Sequence, residues 1–214
     1  MQQGVRRDAG QAFPIYIVAV AGLLFLAFAL FAVGQAAATR NSAQTAADAA
    51  ALGAAQSYRD DLHRALRKAV EDGDGWEDLL KAMGVSTGTA CRSAGWFAGK
   101  NDADATSCTP DSWPTSFAVR VRTRGTVGDS IVPGTERTHA SAGAKAVVTP
   151  RCTVRPAKAG QPADGGGDDG RADRKEAGKG KIELTCDGKP WTLDPKHLDP
   201  FPVPADFFAV RLAE

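Results

Sequence analysis

IYIVAVAGLLFLAFALFAVG, residues 15–34, contains no charged side chain. Twenty helical residues rise about 30 Å, the thickness of a bilayer's hydrocarbon core. The rest of the chain offers few apolar helices that could surround such a segment in water, so it reads as a membrane span. Arg6 and Arg7 precede it, whereas residues 35–52 contain Arg40 alone among basic residues. That bias places the N-terminus in the cytoplasm and exports the bulk of the chain. Tyr16 suits the interfacial belt, and Pro14 suits a first helical turn, where its missing N–H would have no partner. A cleaved secretory signal competes, with Ala36, Ala37 and Ala38 as small residues for a protease, but the apolar run is longer than such a signal's core. Either reading exports the rest of the chain.

Outward from the span, residues 39–72 contain no proline and are rich in alanine, the strongest helix former, so helix is expected to continue past the bilayer. Arg40, Gln44 and Asp48 recur at i,i+4 as a polar stripe; Tyr58, Leu62, Leu66 and Val70 form a later apolar stripe, expected to pack on the exported domain. Ala46, Ala47, Ala50 and Ala51 make a surface that another helix could approach closely. Two readings stand: lateral assembly in a bundle or filament, or an alanine-rich stalk. The run EDGDG at 71–75 should end the helix, with a short helix following through Trp76, Leu79, Leu80 and Met83. The same run makes a poor calcium loop, since Trp76 and Glu77 fall where a ligand and a glycine are needed.

After Gly84 the pattern changes to strands and turns. Phe117, Val119 and Val121 alternate with Arg120, Arg122 and Arg124, a strand with one buried and one wet face. Further strands are expected over 144–154, interrupted near Pro150, and over 181–186 before an Asp187-Gly188 turn. The four cysteines, Cys91, Cys108, Cys152 and Cys186, all lie downstream of the span, where an oxidising compartment would be. Three complete pairings are open. The sequential one, Cys91 with Cys108 and Cys152 with Cys186, is preferred because each bond would staple a loop between structured segments. Residues 158–180 are nearly devoid of apolar side chains and read as a flexible, charged excursion. In the tail, Phe201, Phe207, Phe208, Val210 and Leu212 are expected to finish a small core, with Trp96, Trp113 and Trp191 at core or rim.

The expected architecture is α+β: a long N-terminal transmembrane helix extending into an alanine-rich stalk, followed by a small disulfide-containing exported domain with β-strands. The divisions are a leader at 1–14, the span at 15–38, the alanine-rich helix at 39–72, and the exported domain at 73–157 and 181–214 around the 158–180 excursion.

Twenty-six basic against 25 acidic residues give a net charge of +1, too little to steer the whole chain to nucleic acid. The three histidines, His63, His139 and His197, lack metal-ligand spacing, and no nucleophile elbow, phosphate loop or dinucleotide fingerprint is present. Catalytic residues, cofactors and metals are therefore not expected. The arginine row offers an anionic lipid or polymer a contact, with a solvated strand face as the plainer explanation.

Residues 7–55 combine a short basic leader, a G-Q-A-x-P entry at 10–14 and the run RNSAQTAADAAAL at 40–52. In these features the segment resembles the TadE/TadG-like proteins of the Flp or Tad (type IVb) pilus-assembly system, particularly actinobacterial forms. The resemblance implies a pseudopilin-like or minor-pilin-like envelope component, with pilin-like proteins and the Tad secretion platform as partners. It also implies a processing position at Gly10, before Gln11, with Ile15 where processed members carry glutamate. Ile15 has no need of a charge partner in lipid, and this favours a retained, TadG-like anchor. The expected function is a non-enzymatic, membrane-anchored component of a pilus or secretion assembly; the alternative is an anchored module that binds an anionic envelope lipid or polymer.

Overall fold

The computed structural model describes residues 12–112, 114–126, 137–154 and 180–213. Expectations placed on Gly10, Gln11, Trp113 and residues 158–179 lie outside these. The first element, α1 (Ala12–Asp72), is a single helix of 61 residues, about 90 Å long. After Pro14 no proline interrupts it. Its first third is bare, with Phe13, Val18, Phe25 and Phe31 open on all sides, and is long and apolar enough to cross a membrane.

From Ala43 onward the same helix is covered. Ala43, Ala46, Ala47, Ala50, Ala51, Ala54 and Ala55 are fully buried, and Tyr58, Leu62, Leu66 and Val70 carry the burial to its end. The later apolar stripe thus packs as its spacing predicts. The alanine-rich stretch, expected as a stalk or a lateral contact, forms the spine of the globular part. Glycine stops it: Gly73 takes a left-handed backbone (φ 77°), and the N–H groups of Gly73 and Asp74 both donate to the Ala69 carbonyl, at 2.9 and 3.1 Å. A short helix, α2 (Trp76–Leu80), comes next and buries Leu79 and Leu80.

Where strands and turns were expected after Gly84, the chain forms a third helix, α3 (Gly88–Lys100). Gly88, Gly95 and Gly99 give it poor intrinsic propensity. Its stability comes from packing, because Ala90, Ala94 and Ala98 recur at i,i+4 and are buried, an alanine edge set against the alanine face of α1. Thr89 donates to Asp61 at one end of α3, and Phe97 enters at Gly53 towards the other. The two helices therefore run antiparallel. At position 53 an added Cβ would lie 2.1 Å from the Phe97 ring, so this close seat requires glycine.

The remaining elements are mostly strands: β1 (Ala103–Ser112), β2 (Thr115–Thr126), β3 (His139–Pro150), β4 (Cys152–Val154), β5 (Ile182–Cys186), β6 (Lys189–Leu193) and, after the short α4 (Pro204–Phe207), β7 (Phe208–Leu212). Four of them form one sheet in the order β1-β2-β3-β7, antiparallel throughout. Phe117, Val119 and Val121 from β2, with Ala142, Ala144, Ala146 and Val148 from β3, turn one face into the core. The small residues of β3 let the sheet sit low on an alanine helix, and the Phe117 ring meets Tyr58 at 5.4 Å between centroids.

The other three strands form a small sheet, β4-β5-β6, whose last hairpin turns through Asp187 (φ 48°) and Gly188 (φ 79°). Arg151 separates the sheets, as Pro150 foretold: its N–H donates to Phe207 O at 2.8 Å, and its carbonyl accepts from Asp187 at 3.1 Å. The tail finishes the core with Phe207 and Phe208 buried and Phe201 and Val210 packed against them, but Leu212, expected there too, ends the edge strand β7 exposed. His63 Nε2 donates to Pro202 O at 2.7 Å, and the Arg67 guanidinium lies 6.0 Å over the Phe201 ring. Trp191 packs against this core. Trp96 is 59% exposed and carries Lys100 over its ring at 5.2 Å.

Candidate functional site

Nothing assembled from the described residues has the geometry of a reaction centre. His139 Nδ1 donates to Thr123 O at 2.8 Å, His197 lies 3.9 Å from Asp194, and His63 is held by the tail. None stands beside a nucleophile. Among the described residues, no group of three histidine, cysteine or carboxylate side chains could hold a metal ion. A cleft of about 360 Å³ is lined by Tyr58, Met83, Asp111 and Thr115, among others. Both hydroxyls there donate to the Ala82 carbonyl, Thr115 at 2.8 Å and Tyr58 at 3.3 Å. Burial raises the Tyr58 phenol above its ordinary pKa of 10.0, with the Val85 backbone partly opposing. The two bonds tie the turn after α2 to α1 and to the sheet.

Two surfaces remain, and α1 positions both. The first is the helix itself. Ile15 lies exposed on the apolar surface of the span. Beyond the span, Arg40 and Gln44 are exposed and Asp48 is half-buried; Gln44 Nε2 donates to Asp48 Oδ1 at 2.8 Å. This polar stripe takes the open side of α1. Ala46, Ala47, Ala50 and Ala51 take the covered side. The helix that approaches those alanines is α3 of the same chain. Its signal was in the sequence, since Ala90, Ala94 and Ala98 repeat every four residues, but three glycines masked it.

The disulfides pair in the preferred order. Cys91 joins Cys108, tying α3 to β1, and Cys152 joins Cys186, tying β4 to β5 directly across their ladder.

The second surface is the far face of the four-stranded sheet. β2 alternates as predicted, so Arg120, Arg122 and Arg124 all point away from the core. Strand register adds Lys145, one strand over beside Ala118, and Arg211, beside Val147 on the next strand. Neither of these was singled out from sequence, because cross-strand neighbours cannot be read without the register. Arg124 donates to Asp104 through Nε at 2.9 Å and through Nη2 at 2.7 Å. That contact holds the Asp104 carboxyl below the usual carboxylate range and raises the guanidinium in turn. Both side chains are more than half exposed to water, so the pair contributes little stability.

Residues 10–57 match the Tad family model, described as "Putative Flp pilus-assembly TadE/G-like". The match covers under a quarter of the 214 residues. It takes in the span and the first buried turns of α1, and ends one residue before Tyr58. Neither a curated protein nor a solved structure matches the chain.

Proposed function

We propose that this protein is a non-enzymatic, single-pass component of a Flp/Tad-type pilus or secretion assembly, pseudopilin-like or minor-pilin-like, with its N-terminus in the cytoplasm and its globular part outside. The carrying observation is that the TadE/TadG-like match, residues 10–57, overlaps α1 from Ala12 onward, and that this helix runs from the span into its covered part without a break. The partners are the bilayer, pilin-like proteins, the Tad secretion platform and other copies of the chain. Nucleic acid is not among them. With the alanine face covered by α3, a partner helix would meet α1 within the span and along the open side marked by Arg40 and Gln44. Ile15, apolar where a buried glutamate would need a partner, favours an anchor that serves assembly over a subunit built into the filament.

A photo-crosslinking residue placed at Leu23 or at Gln44, in membranes that support pilus assembly, should capture pilin-like proteins. Recovery of the monomer alone would count against the proposal. Intact mass before and after reduction would show whether the chain is cut between Gly10 and Gln11 or retained whole.

A further inference from the structure

The far face of the β1-β2-β3-β7 sheet carries five cations, Arg120, Arg122, Arg124, Lys145 and Arg211, in a chain whose net charge is +1. Two carboxylates on edge strand β1 answer them: Asp104 pairs with Arg124, and Asp111 lies 3.9 Å from Lys145. Among the described residues neither Arg120 nor Arg122 has an ion-pair partner. Arg120 stands between the small residues Ser107 and Gly143, and Arg122 between Ser141 and Asp104, whose carboxylate is engaged by Arg124; both arginines are exposed. Alternate residues on a strand lie about 7 Å apart, which spaces the arginines as an evenly charged row.

Direction decides what can reach this row. The opposite face of the sheet lies on α1, with Phe117 against Tyr58, and α1 continues unbroken into the span. A spanning helix stands near the membrane normal, tilted on average by about 20°. The face turned away from it therefore looks sideways, along the membrane plane. A flat bilayer meets at most one end of such a face. A charged chain running beside the membrane meets all of it. No aromatic side chain among the described residues shares the face to stack a base, which sets nucleic acid apart.

We infer that this sheet face binds a linear, phosphate-bearing polymer of the envelope, one whose phosphates recur at an interval close to the arginine spacing. Guanidinium groups match phosphate through paired N–H donors. The inference goes beyond the assembly role, and either can fail while the other stands.

The test uses the full chain in nanodiscs of zwitterionic lipid and, as probe, a lipid-free 1,3-linked glycerol phosphate polymer. Wild type should bind with affinity that falls as salt rises. Arg120→Gln with Arg122→Gln should weaken binding by about tenfold or more and flatten the slope of log affinity against log salt by about 1.4, the loss of two phosphate contacts. Arg64→Gln with Lys68→Gln, which removes two exposed cations of α1, should leave affinity within about twofold. Equal binding by the Arg120/Arg122 variant would overturn the inference, as would equal affinity for poly-glutamate. So would capture by phosphatidylglycerol vesicles in the absence of polymer binding.

Discussion

Gly53 sits where the Phe97 ring enters the side of α1. Alanine there would gain about 1 kcal/mol of helix propensity, but its Cβ would fall 2.8 Å from the ring's first carbon as well as 2.1 Å from its edge. Swinging the ring cannot clear it, and overpacking of this kind costs about 1–3 kcal/mol. Gly53→Ala should therefore lower stability by about 1 kcal/mol in denaturant melts. In a Phe97→Ala background the same substitution should be stabilising, and that reversal of sign is the diagnostic result. Tyr58 gives a pH signature. Its pKa is raised in the fold, so both states are neutral below 10.0. Above that value the unfolded chain ionises first, and stability should fall until the folded-state pKa is passed. Tyr58→Phe should remove that part of the alkaline loss. The two residues differ in legibility: the ring that requires glycine at 53 comes from 44 positions away and leaves no local pattern, whereas Tyr58 was legible as part of a buried stripe.

Elements with strong periodicity were read correctly, and those stabilised by packing were not. The alternation in β2 and the i,i+4 stripe ending at Val70 are properties of neighbouring residues, so the sequence displays them directly. The helix α3 exists because Ala90, Ala94 and Ala98 find an alanine face on α1, and no local signal offsets its three glycines. Ala94→Leu should force these helices apart and cost about 1–3 kcal/mol in thermal or denaturant unfolding. The two disulfides should behave differently. Opening Cys91–Cys108 releases a 17-residue separation, worth about 3 kcal/mol in the chain-entropy account, while alanine packing still holds α3. Opening Cys152–Cys186 releases 34 residues, worth about 4 kcal/mol, from a small sheet with fewer other ties. In the Cys152→Ser, Cys186→Ser double variant, limited proteolysis should cut around β5 and β6 before it touches α3.

For the whole molecule, the boundary between anchor and domain falls inside α1 and not at the end of it. Burial begins at Ala43, so residues 39–214 should fold cooperatively without the span, with a single thermal transition by circular dichroism. A chain beginning at Tyr58 should not, because it lacks the alanine rows against which α3 and β3 pack. The alanine face was legible as a surface awaiting a close neighbour; that the neighbour lies some 40 residues further along the same chain is a fact of topology. The basic sheet face was half legible in the same way: three arginines come from one strand, but Lys145 and Arg211 join them only through register.

The unbroken run of α1 also has a mechanical consequence. Between residue 39 and Asp72 it projects about 50 Å of helix beyond the span, stiffened by the sheet and α3 along most of that length. With no hinge at the membrane surface, a 20° lean of the span swings the tip sideways by about 17 Å. Turning the span about its own axis turns the whole head with it, so the compass bearing of the arginine row is set by how the buried segment is gripped. Any neighbour that seizes the span inside the lipid thereby steers, like a hand on a tiller, what the outer face can touch.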